Sequence, residues 1–188
     1  MQSFVAIPML AVAAPLTGMT AIPAPTAIVQ SSNTTANASV ITTQDAQATS
    51  DAISDKKEAD ILDAYFASYD SPLQGYGVKF VQEADKNGLD WRLLPAIAMR
   101  ESTGGKQACK RVSNSIFGYG SCKISFKSID QSIEAVAASL GGNNPNTAAA
   151  YDNKTTAQIL AKYNTVIPGY VKQVQTIMNS INPTKTVK

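Results

Sequence analysis

The sequence predicts an all-α fold, and three observations carry that expectation. Apolar residues recur at spacings of three and four in successive segments. No segment of four or more residues alternates as a strand would. Between the periodic segments stand residues that start or stop helices, such as Asn87-Gly88, Ser128 and the Gly141-Gly142-Asn143-Asn144-Pro145 run.

Helical patterning begins at Lys56, with Ile61, Leu62, Tyr65 and Phe66 on one face and a break at Ser71-Pro72. Val78, Phe80, Val81 and Ala84 predict a second helix that stops at Asn87-Gly88. Asp90 is placed to cap a third helix from about Trp91 to Ser102. Pro95 is slightly too deep for the first turn of that helix, so the helix either starts later than Trp91 or bends there. A Gly-, Ser- and Lys-rich loop covers Thr103 to Lys127. Ser128 caps a helix over Ile129 to Leu140, and Thr155 or Thr156 opens a short one through Tyr163. Pro168 opens the last helix, whose apolar face is Val171, Val174, Ile177, Met178 and Ile181. Roughly six helices in one domain are expected over residues 56–182, with 183–188 as a tail.

Composition narrows the function. The chain has 188 residues, of which 44% are hydrophobic, enough for one domain with a core. It contains no histidine, which excludes a His-based triad, a His general base and the usual zinc cages. Two cysteines alone do not make a structural zinc site. No metal or cofactor is expected, so catalysis would have to run on carboxylates, hydroxyls, Lys or Tyr. The net charge is +2, the first 44 residues are uncharged, and every Lys and Arg lies at or after Lys56. The mildly basic C-terminal part suits a weakly anionic polymer, but it shows no basic run or aromatic interleaving of a nucleic-acid binder.

Residues 1–29 read as an apolar leader, either an export signal or an anchor. Phe4 to Val12 would be its apolar core and Ala11-Val12-Ala13-Ala14 its cleavage site, although no basic residue precedes the run and Pro8 interrupts it. Pro8, Pro15, Pro23 and Pro25 argue against a membrane-spanning helix. Residues 30–55, rich in Ser, Thr, Ala, Asn and Gln, read as a flexible linker that cannot bury enough surface to offset chain entropy. The leader predicts a secreted or extracytoplasmic protein, either free or membrane-tethered through its N-terminus.

Leu94, Ala98 and Glu101 share one face of the third helix, so a carboxylate continues an apolar stripe into the last turn. Partial burial and the helix dipole both disfavour its ionisation, which is what a general acid at neutral pH needs. Spacing alone is equally compatible with a Glu that merely leaves the edge of the core.

The segment Gly88–Gly105, GLDWRLLPAIAMRESTGG, resembles the catalytic helix of lysozyme-like enzymes. Lytic transglycosylases and bacterial endo-β-N-acetylglucosaminidases carry such an apolar helix ending in Glu-Ser. Asn114–Gly120, NSIFGYG, looks like the glucosaminidase Asn-x-Phe-Gly motif, and Phe126–Ile133, FKSIDQSI, resembles the helix start that follows it. Tyr163–Tyr170, YNTVIPGY, resembles the Tyr-Ala-Thr-Asp-Pro-x-Tyr segment. The four motifs occur in the family's order between about Leu73 and Ile181.

The resemblance implies a lysozyme-like helical domain that cleaves the β-1,4 bond between N-acetylglucosamine and N-acetylmuramic acid of peptidoglycan or a related polymer, acting as a monomer. It makes Glu101 the general acid, steadied by a hydrogen bond from Ser102. Phe117 and Gly118 would floor the sugar groove. Tyr163 would stabilise the transition state, and Ser102, Tyr119 and Tyr170 would line the substrate site. Phe117 and Tyr170 could equally be core residues. The chain departs from the family in having Thr103-Gly104-Gly105 after Glu-Ser, and in a short Tyr119–Ser125 stretch where a longer insert often carries a second carboxylate. No acidic residue lies between Glu101 and Asp130, and Asp130 and Glu134 qualify as partners by sequence proximity only. A single-carboxylate mechanism, with the substrate's N-acetyl group or C6 hydroxyl as nucleophile, fits better than a two-carboxylate one.

Cys109 and Cys122 flank the Phe-Gly loop. In an exported protein they would form a disulfide worth roughly 3 kcal/mol in the chain-entropy model and pin Phe117 and Gly118 against the catalytic helix. In a cytosolic one they would stay thiols. Two other readings stand beside the enzyme: a non-catalytic glycan-binding module on the same fold, and a wall-penetrating assembly subunit.

Overall fold

A computed structural model describes residues 43–182, with side chains from Gln47 onward. The leader at 1–29, most of the linker and the tail at 183–188 lie outside the described residues. Among the described residues there are eight helical segments and no strand: α1 Thr43–Ser68, α2 Gly77–Lys86, α3 Leu93–Ser102, α4 Tyr119–Cys122, α5 Ile129–Leu140, α6 Ala148–Tyr151, α7 Thr156–Tyr163 and α8 Tyr170–Ile181. None is long and apolar enough to cross a membrane.

The core is organised around α3. Leu93 through Ala98 are all buried, so this helix has no solvent face to offset its apolar one. The expected single stripe was too narrow a reading. α2, α5 and α8 enclose α3, α1 packs along α2, and α7 along α8. Aromatic rings run through this core from Phe66 on α1 to Phe80 on α2, at 5.5 Å, and on to Phe117 in the loop, at 6.5 Å and edge-on. Such contacts add about 0.5–1.5 kcal/mol each beyond burial.

Local chemistry sets most helix ends. The Asn87-Gly88 stop is a Schellman turn: Gly88 has φ 64° and the Leu89 N–H donates to Ala84 O at 2.9 Å. Helix α3 starts at Leu93, which leaves Pro95 within the first turn, where a missing N–H costs nothing. Asp90 stands two residues before the cap position. Its Oδ1 accepts from the Arg92 N–H, and its carboxylate pairs with the buried Arg92 guanidinium at 2.6 Å. Ser128 caps α5 by accepting from the Gln131 N–H, and Thr155 forms a capping box with Gln158 on α7. Helix α8 opens two residues after Pro168, because Gly169 at φ 73° turns the chain before it.

One boundary is corrected. Helix α1 runs upstream of Lys56, so residues 43–55 of the expected linker are helical. Their polar composition correctly signals a lack of burial, since Gln47 through Ser54 are exposed. It does not prevent helix propagation from the packed turns around Ala59, Leu62 and Phe66, where each added residue gains a hydrogen bond without a new nucleation cost. The four-residue α6 falls in a stretch that carried no periodic signal.

The Thr103–Lys127 loop is irregular but tied down. Cys109 and Cys122 form a disulfide with Cα atoms 5.7 Å apart. A second crossing joins the Phe126 N–H to Ser113 O at 3.0 Å and Asn114 Nδ2 to Phe126 O at 2.9 Å. Segment α4 is a tight turn rather than a regular helix, with Gly120, Ser121 and Cys122 all near φ 60°.

Two stability predictions follow from this packing. A Cβ on Gly77 would strike the Ala59 carbonyl where α1 and α2 cross, so Gly77→Ala should lower unfolding free energy by about 1–3 kcal/mol in urea titration. Replacing both Cys109 and Cys122 by Ser should cost about 3 kcal/mol and increase amide exchange across residues 109–122, while the helical circular dichroism persists.

Candidate functional site

The C-terminal end of α3 opens into a cleft of about 500 Å³, lined by residues from four parts of the chain. Glu101 comes from α3, Phe117 to Ser121 from the disulfide loop, Tyr151 from α6, and Tyr163 to Ile167 from the end of α7 and the connection beyond it. The volume lies within the range of small-molecule and sugar sites.

Glu101 is partly buried and held from one side. The Tyr170 hydroxyl donates to its Oε1 at 2.7 Å. Its Oε2 points toward Gly118, where a Cβ would come within 3.6 Å. Glycine at φ 62° both makes this turn and keeps the space beside the carboxylate open. Tyr170 itself is 2% exposed, beneath the cleft rather than on its wall. It stacks on Tyr163, with ring centroids 6.1 Å apart and planes 19° from parallel. The Arg100 guanidinium lies 5.9 Å from the centroid of the Tyr170 ring, and its Nε donates to Gln173 Oε1 at 2.7 Å.

The Tyr163 hydroxyl donates to Phe117 O at 2.6 Å. Its proton is therefore committed to the loop, while the residue lines the cleft. Burial first, and then the Glu101 charge, pushes the Tyr163 ionisation far upward. Burial, followed by the hydrogen bond to Glu101 and its charge, does the same for Tyr170. Both shifts favour the protonated, hydrogen-bond-donating form of each phenol.

Ser102 does something other than expected. It is 2% exposed and absent from the cleft. Its hydroxyl donates toward Ala98 O at 3.0 Å and Ile116 O at 2.6 Å, and its oxygen accepts from the Gly105 N–H at 2.8 Å. These partners leave no bond to Glu101. A buried hydroxyl at a helix end satisfies the nearest orphaned backbone groups, and here it fastens the Phe-Gly loop to α3. The Phe117 ring belongs to the core, and its backbone belongs to the cleft floor. Tyr119 lines the cleft with its hydroxyl anchored on Ser139 of α5 at 3.0 Å.

Glu101 is the one carboxylate among the described residues that line the cleft. Glu134 faces Lys79 and Lys86, at 3.9 and 3.8 Å, in a cluster with the buried Glu83, and Asp130 is exposed in the first turn of α5. Neither lines the cleft. Sequence reasoning did not flag Tyr151, and it quoted Asn164–Ile167 within the Tyr163–Tyr170 motif without giving them a role; both line the cleft. Asn164 carried a signal: its Oδ1 accepts from the Val166 and Ile167 N–H groups, as an Asn opening a turn does. Tyr151 carried none. Among the described residues no cluster of side chains could hold a metal ion. No protein-family model, curated protein or solved structure matches the chain.

Proposed function

We propose that the protein cleaves the glycan strand of peptidoglycan with Glu101 as general acid, on a lysozyme-like helical domain outside the cytoplasm. The arrangement of Glu101 carries this reading: one oxygen is held by Tyr170 and the other faces an open cleft beside Gly118. The four ordered motifs resembling glucosaminidases and lytic transglycosylases support it, and the disulfide is compatible with an extracytoplasmic setting.

The geometry implies a division between the two carboxyl oxygens. Oε1 accepts the Tyr170 O–H, so the proton available for transfer sits on Oε2. From there it passes to the glycosidic oxygen as the bond to the anomeric carbon breaks. The anomeric carbon is then captured by the substrate's own N-acetyl oxygen, forming an oxazolinium ion that a water molecule opens while giving one proton back to Glu101, or by its C6 hydroxyl, forming an anhydro sugar with the hydroxyl proton returning to Glu101. Either route needs one protein carboxylate, which matches the lining of the cleft.

A second reading has one observation in its favour. With a single carboxylate in the cleft, the same groove could hold a glycan without cutting it.

The full-length chain incubated with purified peptidoglycan, with released fragments identified by mass, separates the two readings. Glu101→Gln preserves the bond from Tyr170 and removes the transferable proton. It should lower muropeptide release by about 10²–10⁴-fold or more, with an unchanged melting temperature. Co-sedimentation with the wall and no release by either protein would overturn the enzyme and leave the binding module. Tyr170→Phe keeps the ring stacked on Tyr163 but frees Oε1. It should reduce kcat by about tenfold to a hundredfold with KM little changed, as measured on soluble glycan fragments.

A further inference from the structure

Charge in this chain is divided along its length. Residues 1–101 hold six of the Lys and Arg and eleven of the Asp and Glu, whereas residues 102–188 hold ten and three. Apart from Glu101, every residue lining the cleft comes from the basic half. Within it, Thr103–Lys127 carries five cations and no acid.

Four of those cations, Lys110, Arg111, Lys123 and Lys127, are exposed and make no ion pair among the described residues. Lys56, Lys79, Lys86 and Arg92 are each matched to a carboxylate, and Lys57, Arg100, Lys106, Lys154, Lys162 and Lys172 have no ion pair among the described residues either, so what sets this loop apart is that its cations cluster in a stretch without an acid. The disulfide gathers the unmatched set: Lys110 follows Cys109, and Lys123 follows Cys122, with the two cysteine Cα atoms 5.7 Å apart. Lys127 adjoins the second crossing at Ser113 and Phe126. Lys123 is also two residues from Ser121, which lines the cleft. The result is a cationic collar on the loop that forms one cleft wall.

We infer that this collar binds carboxylates borne along the glycan strand beside the scissile bond, so that the protein selects an acidic strand over a neutral one. The inference rests on the glycan-cleft reading above and specifies its substrate class. Positive charge spread over two crossings of one loop suits repeated anionic groups better than a single small anion. Three of the four groups are lysines, which act as point charges and need no fixed bidentate geometry. A lipid surface fits less well. Ile124 is the one exposed large apolar side chain of this loop, and it rests against Gly120, where a Cβ would meet its Cδ1 at 2.7 Å.

The test measures binding separately from cleavage. The full-length chain, its Glu101→Gln form and a variant with Lys110, Arg111, Lys123 and Lys127 all changed to Gln are sedimented with purified peptidoglycan. The polymer is used either native or with its carboxyl groups amidated. The first two proteins should bind the native polymer about tenfold or more tightly than the amidated one, and the preference should fade between about 0.05 and about 0.5 M salt. The four-site variant should lose the preference and keep its melting temperature, and a second variant with the three lysines changed to Arg should retain it. Equal binding of native and amidated polymer by the unaltered chain would overturn the inference. So would a preference unaffected by the four changes, or collar-dependent binding to phosphatidylglycerol vesicles in place of the native polymer. A retained preference without fragment release would remove the cleavage reading alone, and fragment release without preference would remove the collar alone.

Discussion

Most of this structure follows from enclosing α3 on every side. A helix buried along Leu93–Ala98 must bring its unsatisfied C-terminal carbonyls and its first polar side chains out at one end. That end is where the cleft forms. Thr103 at φ 52° stops the helix with its N–H on Met99 O, and Gly104 returns to Ala98 O. Ser102 then carries the connection outward by binding Ile116 O, fourteen residues further on. Glu101, one residue earlier, points to the other side. The same termination that satisfies the backbone therefore sets a carboxylate beside Gly118 at the base of the cleft.

Two phenols extend this order into the site. Tyr170 and Tyr163 stack on each other, yet each hydroxyl serves one acceptor: Glu101 Oε1 for the first and Phe117 O for the second. The bond to the carboxylate is the stronger type, worth about 1.5–3 kcal/mol net against roughly 1 for the neutral one. The pair thus joins α8 to α3 and α7 to the Phe-Gly loop. Both hydroxyls are engaged within the protein, and of the two tyrosines Tyr163 lines the cleft.

Features governed by short-range chemistry were legible in the sequence. Gly88, Ser128 and Thr155 act within a few residues of themselves, so their helix ends could be read directly. The Cys109–Cys122 pairing was legible as well, conditional on the compartment. Burial on all sides of α3 was harder to read, because composition reports how apolar a segment is and not how many neighbours surround it. The start of α1 was missed for the opposite reason: exposed polar residues there form helix by continuation, without the periodicity that burial imposes. Ser102 was misassigned because a hydroxyl's nearest acceptor is a property of the folded chain, here a carbonyl on a different segment. Tyr151 reaches the cleft from a four-residue helix that no motif marks.

The cleft combines a rigid floor with walls made of irregular backbone. Glu101 and Tyr170 belong to regular helices, so the distance between them is set by the packing of α3 on α8. The walls come from Gly118–Ser121 and Asn164–Ile167, segments shaped by positive φ values at Gly118, Gly120 and Ser121 and by the Asn164 turn. Substitutions in such walls change shape and charge without disturbing the helices that hold the acid. Under the proposed reading, the helical floor would fix the geometry of proton transfer and the side chains of the wall would govern which strand is accepted. The four loop cations are not themselves among the residues that line the cleft; they flank the irregular segment that supplies one wall, whereas the carboxylate belongs to the helical floor, whose geometry the packing of α3 on α8 fixes.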